Sequence, residues 1–298
     1  MVSGQKIIAA VGNFDGVHLG HQYLLKQTAE FAREQNAAPG VVVFEPHPRR
    51  YFRPDDPPFL LTLPAQRDAL LRAAGVAEIY TIAFNNALAS MSPKEFVVDV
   101  LKSQFGLSGV IVGVDFRFGA QRAGDSATLA RLGADAGLAV KLVDVLAENP
   151  NTEKYGSSLV REALRDGAID RATMMLGRPW SVLGAVGEGR KVGRTLGFPT
   201  ANMTLGELIA PRQGVYATRV RVDGKSYGAV SNYGRRPTFG DDAPLLETFL
   251  FDFDGDLYGR EIAVDFIAFL RDEVKFDGLD ALKAQIAEDC RQARALLG

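Results

Sequence analysis

Two histidines three residues apart, His18 and His21, lie in a glycine-rich stretch of the sequence. At this spacing around a helix start, both imidazoles can point to one side and donate hydrogen bonds to phosphoryl oxygens. Donors held where negative charge develops are often the largest catalytic contribution, about 3–4 kcal/mol for each donor in other enzymes. Gly20, between the histidines, lets a ligand approach the backbone closely. The pair therefore predicts a phosphate-handling site.

Two other roles compete with phosphate binding at this pair, a zinc site and a purely structural one. Zinc needs three or four protein ligands, and the only further histidine and cysteine in the sequence are His47 and Cys290. A purely structural role is disfavoured because both histidines lie in a glycine-rich loop and not on an apolar face. Phosphate binding is the preferred interpretation.

The flanking sequence positions this pair between a strand and a helix. An apolar run at residues 7–11 predicts a short buried strand, and helical periodicity begins at about Gly20. The order is strand, glycine-bearing loop, helix. Nucleotides bind at such junctions in open α/β sheets, because free backbone N–H groups and the helix dipole face the phosphates.

A second loop, residues 44–50, also follows a predicted strand directly. Its two prolines stiffen the chain and preclude a helix there. His47, Arg49 and Arg50 would present hydrogen-bond donors and positive charge at the mouth of the sheet.

A third loop, residues 113–119, follows the fourth predicted strand. Phe116 and Phe118 are either ordinary core aromatics or a platform for a planar ring. Their position beside Asp115 and two glycines leaves both interpretations open.

Residues 157–161 open another helical pattern after a polar, turn-rich stretch. Serine hydroxyls and free amides at a helix start suit phosphate, and Arg161 can stabilise a leaving pyrophosphate. An ordinary N-cap and a solvated arginine are the alternative.

Residues 12–21, GNFDGVHLGH, resemble the ATP-binding HxGH motif of the nucleotidylyltransferase superfamily, in the form of its FAD synthetase branch. The resemblance implies that His18 and His21 stabilise the α-phosphate of ATP while FMN attacks it, with help from Arg161. It implies flavin contacts at His47, Asp115 and Phe116. The nucleotide contacts it implies are Gly12, Asn13, Phe14, Asp15, Gly20, Ser157 and Ser158.

The sequence departs from this family at one element, an SSTxxR-type motif. Gly156 and Ser158 stand where the family more often has serine and threonine. Because Ser158 retains a hydroxyl, we expect adenylylation to survive, with its efficiency left open.

The composition limits the classes of protein to which this chain can belong. The 298 residues suffice for two domains, and 47% apolar with 23% charged residues is typical of a globular protein. A net charge of −2 gives no reason to expect nucleic acid or membrane as a partner. One cysteine suits a reducing compartment. With no signal-peptide pattern and no apolar run of about 20 residues, we expect a cytoplasmic protein.

The first part of the chain alternates strands and helices, which predicts an α/β fold with a doubly wound parallel sheet. Thr62, Ser92 and Asp125 are the predicted helix caps, with a capping box and an N1 proline after Ser92. Strands are predicted at 7–11, 41–44, 79–83, 110–114 and 140–145.

From about Gly177 the pattern changes to short β-type runs separated by turns, at 181–186, 214–222, 225–231, 248–253 and 261–269. Asp-Gly turns within 222–225 and 253–256 predict hairpins. The pattern predicts a small antiparallel β-barrel closed by a terminal helix at 279–297. The predicted domains are residues 1–177 and 178–298.

Residues 187–202, GEGRKVGRTLGFPTAN, carry a second set of phosphate-binding features. The glycine spacing fits neither a Walker A loop nor a dinucleotide fingerprint. Thr200 and Asn202 place a hydroxyl and an amide oxygen on one side of extended chain, which suits Mg²⁺.

This stretch resembles the signature of riboflavin kinases, as do later motifs such as residues 232–239 and 247–253. The resemblance implies that Thr200 and Asn202 hold Mg²⁺ between the ATP phosphates, that Glu247 is the general base and that Arg271 contacts flavin. For Glu247, an outward-facing strand glutamate is the alternative. The nucleotide contacts expected here are Gly187, Gly189, Arg190, Gly193 and Arg194.

Together the two resemblances imply a bifunctional transferase that uses ATP and Mg²⁺. It would phosphorylate riboflavin to FMN and then adenylylate FMN to FAD, releasing pyrophosphate. One alternative is a riboflavin kinase with a weak or inactive adenylyltransferase domain; the other is a non-catalytic flavin-binding regulator. The expected partners are ATP, riboflavin and FMN, and self-association is left open.

Overall fold

The structure is a computed structural model that describes residues 5–144, 155–187, 198–234 and 244–298. The chain divides into two compact units, Met1–Pro57 with Pro64–Gly156, and Pro58–Leu63 with Ser157–Gly298. The domain border predicted at residue 177 stays a prediction, since compactness and function need not divide a chain at the same residue.

The first unit is an α/β unit. Among its described residues, five strands form a parallel sheet in the order β3-β2-β1-β4-β7. Its elements are β1 (Ile7–Val11), α1 (Leu19–Glu34), β2 (Ala38–Glu45), α2 (Pro48–Phe52), α3 (Pro64–Ala73), β3 (Glu78–Ala83), α4 (Asn86–Ser90), α5 (Pro93–Glu95), a π-helix (Phe96–Gln104), β4 (Gly109–Gly113), β5 (Arg117–Phe118), a 3₁₀ turn (Ala120–Arg122), β6 (Gly124–Asp125), α6 (Ser126–Asp135) and β7 (Ala139–Val143).

Both faces of this sheet are covered, as the apolar runs of its strands predict. On one face, Ala9 and Val110 pack with Val97 and Leu129 from the surrounding helices. On the other face, Val41 and Ile111 pack with Leu25 of α1 and Leu71 of α3. The predicted doubly wound parallel sheet is therefore confirmed.

Local sequence signals set the helix starts in this unit. Ser92 and Glu95 form the predicted capping box, and the Asp125 carboxylate accepts the Thr128 N–H at 2.8 Å. The expectation that Pro46 and Pro48 preclude a helix is wrong, because α2 begins at Pro48. Proline at the first helical position loses no intrahelical hydrogen bond and has a suitable φ.

The second unit contains a curled antiparallel sheet in the order β8-β13-β10-β11-β12-β9. A single bridge between Gly187 and Asn202 joins the chain after β8 to β9 at the other edge. The described elements are α7 (Ser157–Asp166), α8 (Ile169–Leu176), β8 (Trp180–Ala185), β9 (Ala201–Met203), β10 (Gly214–Val222), β11 (Lys225–Gly234), β12 (Leu245–Leu250), β13 (Glu261–Arg271) and α9 (Leu279–Leu297).

The helix α9 covers one face of this sheet, with Ala293 and Leu297 packed against Val215 and Val230. On the opposite face, the hydroxyls of Thr218, Ser231 and Thr248 form a buried ladder, with 2.8 Å between successive oxygens. Buried hydroxyls that bond one another lose little on leaving water. The predicted small antiparallel β-barrel with a terminal helix is confirmed as a curled half-barrel sheet followed by α9.

One predicted hairpin formed and the other did not. β10 and β11 pair through Val222 and Lys225, across a turn in which Asp223 has φ +48° and Gly224 has φ +75°. The hairpin predicted at 253–256 is wrong, because β12 pairs with β11 and β9 and not with β13. An Asp-Gly pair favours a turn but does not by itself make the flanking strands neighbours.

A short segment from the first half of the sequence, residues 58–63, belongs to the second unit. Leu60 forms a parallel bridge with Leu208. The Trp180 indole N–H donates to the Leu61 carbonyl at 2.9 Å. No periodicity in the sequence signals this non-local pairing.

Candidate active sites

The predicted histidine site lies at the switch point of the parallel sheet. β1 and β4 are neighbours, and the chain leaves them toward opposite sides of the sheet. Ligands of open α/β sheets bind beyond the carboxyl ends of such strands. A cavity of about 260 Å³ lies there; we call it the small cavity. Its lining includes Gly12, Phe14, His18, Gly20, His21, Asp115, Phe116 and Tyr155.

The loop between β1 and α1 has an unusual backbone. The Gly12 N–H donates to the Val42 carbonyl at 3.1 Å, which fixes the start of the loop to the sheet. Phe14 has φ +53° and Val17 has φ +41°, conformations that cost free energy, most of all for a β-branched residue. Both side chains are buried. Strain of this kind concentrates where a loop must position functional groups.

The two histidines are held together by a hydrogen bond and by stacking. His18 caps α1, with its Nδ1 accepting the His21 N–H at 3.3 Å. The two rings stack with centroids 3.7 Å apart and planes 21° apart. A Cβ on Gly20 would lie 3.1 Å from the His18 ring and 3.2 Å from the Tyr155 carbonyl oxygen. Because glycine has no Cβ, the residue at position 20 leaves room for the His18 ring.

The surroundings keep His21 neutral. Burial lowers the pKa of His21 well below its usual value, and the nearby His18 lowers it further. Among the described residues, His21 Nδ1 and Asn13 Oδ1 are buried and have no hydrogen-bond partner. Buried polar atoms are nearly always paired, so these two favour a polar ligand in the site.

A larger cavity of about 1360 Å³, the large cavity, shares Gly12, Asp115 and Phe116 with the small one. Aromatic and basic side chains line it, which suits a planar ring bearing a phosphate. Its lining includes Asn13, Phe44, His47, Arg49, Phe52, Arg53, Phe84, Arg117, Phe118 and Arg122.

Two predicted flavin contacts have defined partners in the large cavity. His47 caps α2, with its Nδ1 accepting the Arg49 N–H at 3.1 Å. Phe116 stacks on Phe118 with centroids 5.5 Å apart and planes 15° apart. Phe118 is buried in the core, whereas Phe116 is partly exposed. Phe118 therefore fits the interpretation as a core aromatic. Phe116 is partly exposed and lines the cavity, so it fits the interpretation as a platform for a planar ring.

The serine-bearing element lies in the second unit. Ser157 and Ser158 open α7. Arg161 is 8% exposed, and its Nε donates to the Phe59 carbonyl at 2.7 Å. Its guanidinium also lies 5.4 Å from the centroid of the Phe59 ring. The predicted roles of these residues in adenylyl transfer stay predictions.

In the second unit, three polar residues lie directly opposite one another on neighbouring strands. Glu247 on β12 pairs with Asn202 on β9 and with Asn232 on β11. Direct partners in an antiparallel sheet project to the same face. We call these three residues the polar row. Asn232 was not among the predicted site residues; an amide within a strand pattern was the available signal.

The predicted metal ligands lie at one end of the polar row. The side-chain amide of Asn202 donates to the Thr200 carbonyl at 3.2 Å. The backbone carbonyl of Asn202 accepts the Gly187 N–H at 2.8 Å. Thr200 also lines a cavity of about 390 Å³ with Asp254, Asp256 and Tyr258. A hydroxyl and an amide oxygen are suitable ligands for Mg²⁺, which keeps most of its waters. Gly189, Arg190, Gly193 and Arg194 lie outside the described residues.

Within the described ranges, no group of three or more His, Cys, Asp or Glu residues is placed to hold a metal ion.

Arg271 is engaged in an ion pair. Its Nε and Nη2 donate to the Asp289 carboxylate at 2.8 and 2.6 Å, and its Nη1 donates to the Asp272 carbonyl at 2.9 Å. Asp289 is buried on α9. The geometry fits a clamp between β13 and α9, and the predicted flavin contact stays a prediction.

Comparisons with known proteins match two family models to successive parts of the chain. The family model for FAD synthetase matches residues 2–158, and the model for riboflavin kinase matches residues 176–297. A bifunctional riboflavin kinase/FMN adenylyltransferase of Pseudomonas fluorescens is 41% identical over 97% of this chain and 92% of its own. The Escherichia coli K12 protein of the same description is 38% identical, over 98% and 93%.

The chain belongs to the bifunctional riboflavin kinase/FMN adenylyltransferase family. It is a transferase that makes FMN from riboflavin and FAD from FMN, with ATP and flavins as substrates. Most of the FAD synthetase match lies in the first unit, and the riboflavin kinase match lies in the second unit, which we call the β-unit.

The fold of this chain also matches a solved structure along nearly the whole chain. A crystal structure from Streptococcus pneumoniae, described as a macrolide-efflux protein, is 29% identical, with a TM-score of 0.88 over 98% of this chain and 95% of its own.

Across the part of the chain that the structure describes, no helix has the length and apolar character of a membrane span.

Proposed function

We propose that the two reactions use separate pockets. Adenylyl transfer takes place at the small and large cavities of the α/β unit, and phosphorylation takes place at the polar row of the β-unit. The observation that carries this proposal is that each unit contains its own set of phosphate-compatible groups. The set in the α/β unit includes His18 and His21. The set in the β-unit includes Thr200, Asn202 and Glu247.

For adenylyl transfer, ATP lies in the small cavity with its α-phosphate beside His18 and His21. FMN lies in the large cavity, in contact with His47, Asp115 and Phe116. Because the two cavities share part of their lining, the two substrates lie next to each other. The attacking phosphate of FMN is largely ionised near pH 7, since the second pKa of a phosphate monoester is about 6. The site therefore supplies positioning and hydrogen bonds and no general base.

The roles that the resemblance implies for Ser157, Ser158 and Arg161, which lie in the other unit, stay predictions. The loop residues that complete the nucleotide contacts are Gly12, Asn13, Phe14, Asp15 and Gly20.

For phosphorylation, the attacking group is the ribityl 5′-hydroxyl of riboflavin, which must lose a proton. Glu247 accepts that proton, flanked by Asn202 and Asn232 in the polar row. Thr200 and Asn202 would hold Mg²⁺, which would supply positive charge to offset the negative charge of the transferred phosphoryl group. Nucleotide contacts come from Gly187, Gly189, Arg190, Gly193 and Arg194, and flavin contact from Arg271.

Crystals soaked with a non-hydrolysable ATP analogue and Mg²⁺ test the two-pocket proposal. We expect nucleotide density beside His18 and His21 and separately beside Thr200 and Asn202. Density in neither pocket, or in one pocket when saturating nucleotide is present, would contradict it.

We propose a cytoplasmic setting with small-molecule partners only. A single cysteine suits a reducing compartment, and a net charge of −2 offers no electrostatic basis for binding nucleic acid. Size-exclusion chromatography with light scattering, with and without flavin, measures self-association.

A further inference from the structure

The polar row of the β-unit is extended by a carboxylate from the segment that follows β13. The side-chain Nδ2 of Asn232 donates a hydrogen bond to Glu273 Oε1 at 3.1 Å. Gly234, two residues further along β11, lies on the same face of the sheet as Asn232. A Cβ at Gly234 would overlap the Glu273 carboxylate. The lack of a side chain at position 234 therefore gives Glu273 access to the polar row.

Two ion pairs hold the segment that carries Glu273. The Asp272 carboxylate accepts from Arg212 Nε at 2.8 Å and from Arg212 Nη2 at 2.7 Å, a bidentate geometry that fixes direction as well as distance. Arg271, one residue earlier, pairs with the buried Asp289. Because these two preceding residues are fixed, the exposed side chain of Glu273 extends from a defined backbone position.

The chemistry of the two groups sets the orientation of the Asn232 amide. An ionised carboxylate offers only acceptors, whereas an asparagine amide has a donor end and an acceptor end. Asn232 therefore turns its NH₂ group toward Glu273. In the strand order β13-β10-β11-β12, Glu273 reaches β11 from the β13 side and Glu247 lies on the other side.

We propose that Glu273 is a positioning residue of the kinase site, which holds the Asn232 amide so that its carbonyl oxygen faces Glu247 and accepts a hydrogen bond from a ribityl hydroxyl of riboflavin. This hydroxyl is the neighbour of the reacting 5′-hydroxyl, because Asn232 and Glu247 are direct partners on adjacent strands. The proposal deepens the proposed function and rests on its assignment of Glu247 as the base.

The two acceptors define the class of substrate. A carboxylate and a carbonyl oxygen side by side repel each other unless donors lie between them, and two vicinal hydroxyls supply those donors. A site that bonds a substrate hydroxyl also rejects an analogue without it, because the acceptor is then left unpaired. The β-unit is thereby selective for a vicinal diol at the end of the flavin side chain.

Steady-state phosphorylation of riboflavin and of 4′-deoxyriboflavin by the full chain tests this role. The analogue keeps the hydroxyl that is phosphorylated and lacks only its neighbour. We expect the wild-type protein to favour riboflavin about 10-fold in kcat/KM, as one hydrogen bond would give. Glu273→Ala and Asn232→Ala should each lose most of this preference, through a lower kcat/KM for riboflavin at unchanged kcat/KM for the analogue. The double variant should lose no more than either single variant.

Two further variants serve as controls. The side-chain carbonyl of Glu273→Gln can still accept from Asn232, so this conservative variant should retain part of the preference. Glu261→Gln, an exposed glutamate at the start of β13, should keep all of it. Conversion of FMN to FAD and Tm of the same preparations report on folding.

The outcomes separate two kinds of failure. If Glu273→Ala lowers kcat/KM equally for both flavins, or for neither, Glu273 does not act through Asn232 and the inference is wrong. It is equally wrong if the wild-type protein does not distinguish the two flavins. Failure of the proposed function gives a different result, since Glu247→Gln would then phosphorylate riboflavin at the normal rate whatever the Glu273 variants do.

Discussion

The two units handle phosphate with different side chains because their attacking groups differ in charge. In the α/β unit, the proposed nucleophile is a phosphate that is already ionised, and the histidines beside it supply hydrogen bonds. In the β-unit, the nucleophile is a hydroxyl, and a carboxylate, Glu247, is placed to take its proton. The protonation state of the nucleophile thus accounts for the composition of each site.

The units also differ in how the backbone positions these groups. In the β-unit, Glu247, Asn202 and Asn232 are direct partners on neighbouring strands, so strand register alone aligns them. In the α/β unit, His18 and His21 follow a loop in which Phe14 and Val17 have positive φ. Regular strands suffice for the first arrangement, whereas the second requires a strained loop.

Replacing Glu247 by glutamine tests one side of this comparison and carries the largest expected effect. The amide keeps the shape but cannot accept the proton. We expect kcat for FMN formation to fall about 10²–10⁴-fold, with FMN-to-FAD conversion unchanged, both followed by chromatography. Glu261→Gln, an exposed strand glutamate on β13, is the matched control. Equal loss of both activities in a folded Glu247→Gln protein would contradict separate sites.

The variant His21→Ala tests the other side. Removing a preorganised donor costs about 10²–10³-fold in comparable sites, so we expect FAD formation from FMN to fall by that factor. Riboflavin phosphorylation should not change. Gln27→Ala, on α1 away from the cavity lining, is the control. Normal FAD formation by His21→Ala would remove the histidine pair from the chemistry.

The sequence predicts most of this fold where local signals agree with tertiary contacts. The bounds of β10 and α9 coincide with the predicted ranges 214–222 and 279–297. For β10, an Asp-Gly turn with positive φ ends the strand where the periodicity ends. The sequence does not predict the helix that begins at Pro48, because a pair of prolines at 46 and 48 favours a stiff loop, although a single proline is favourable at the first helical position, as at Pro93.

Contacts between residues far apart in the chain could not be predicted from the sequence pattern. Leu60 joins the second unit by pairing with Leu208, and nothing in the local pattern of either residue indicates the other. At the candidate site, the proximity of His18 and His21 was predicted from their spacing. The ring stacking and the Nδ1 cap were not, because they depend on the strained loop.

The variant Gly20→Ala probes the space around His18 and carries a smaller expected effect. The new Cβ would lie 3.1 Å from the His18 ring, so the ring or the Tyr155 carbonyl must shift by a few tenths of an ångström. We expect kcat/KM for FAD formation to fall about 10-fold. Because alanine favours helix more than glycine, Tm should not fall. A lower Tm with unchanged kcat/KM would contradict this.

The smallest expected effect is a pH dependence of stability between pH 7.5 and 5.5 in the α/β unit, which contains all three histidines of the sequence. Burial lowers the pKa of His21 in the folded protein, so near and below pH 6.5 the unfolded chain binds a proton at this residue and the folded chain does not. Stability then decreases as pH falls through that range, because the protonated form favours unfolding. His21→Gln removes the titrating group and should flatten part of this decrease. Since 1 kcal/mol changes Tm by about 2–4 °C at this size, calorimetry at pH 7.5 and 5.5 should resolve it. If Tm of the wild-type protein decreases no more than Tm of His21→Gln between these pH values, His21 binds a proton in the folded state. That result would contradict a neutral His21 at the site in the α/β unit.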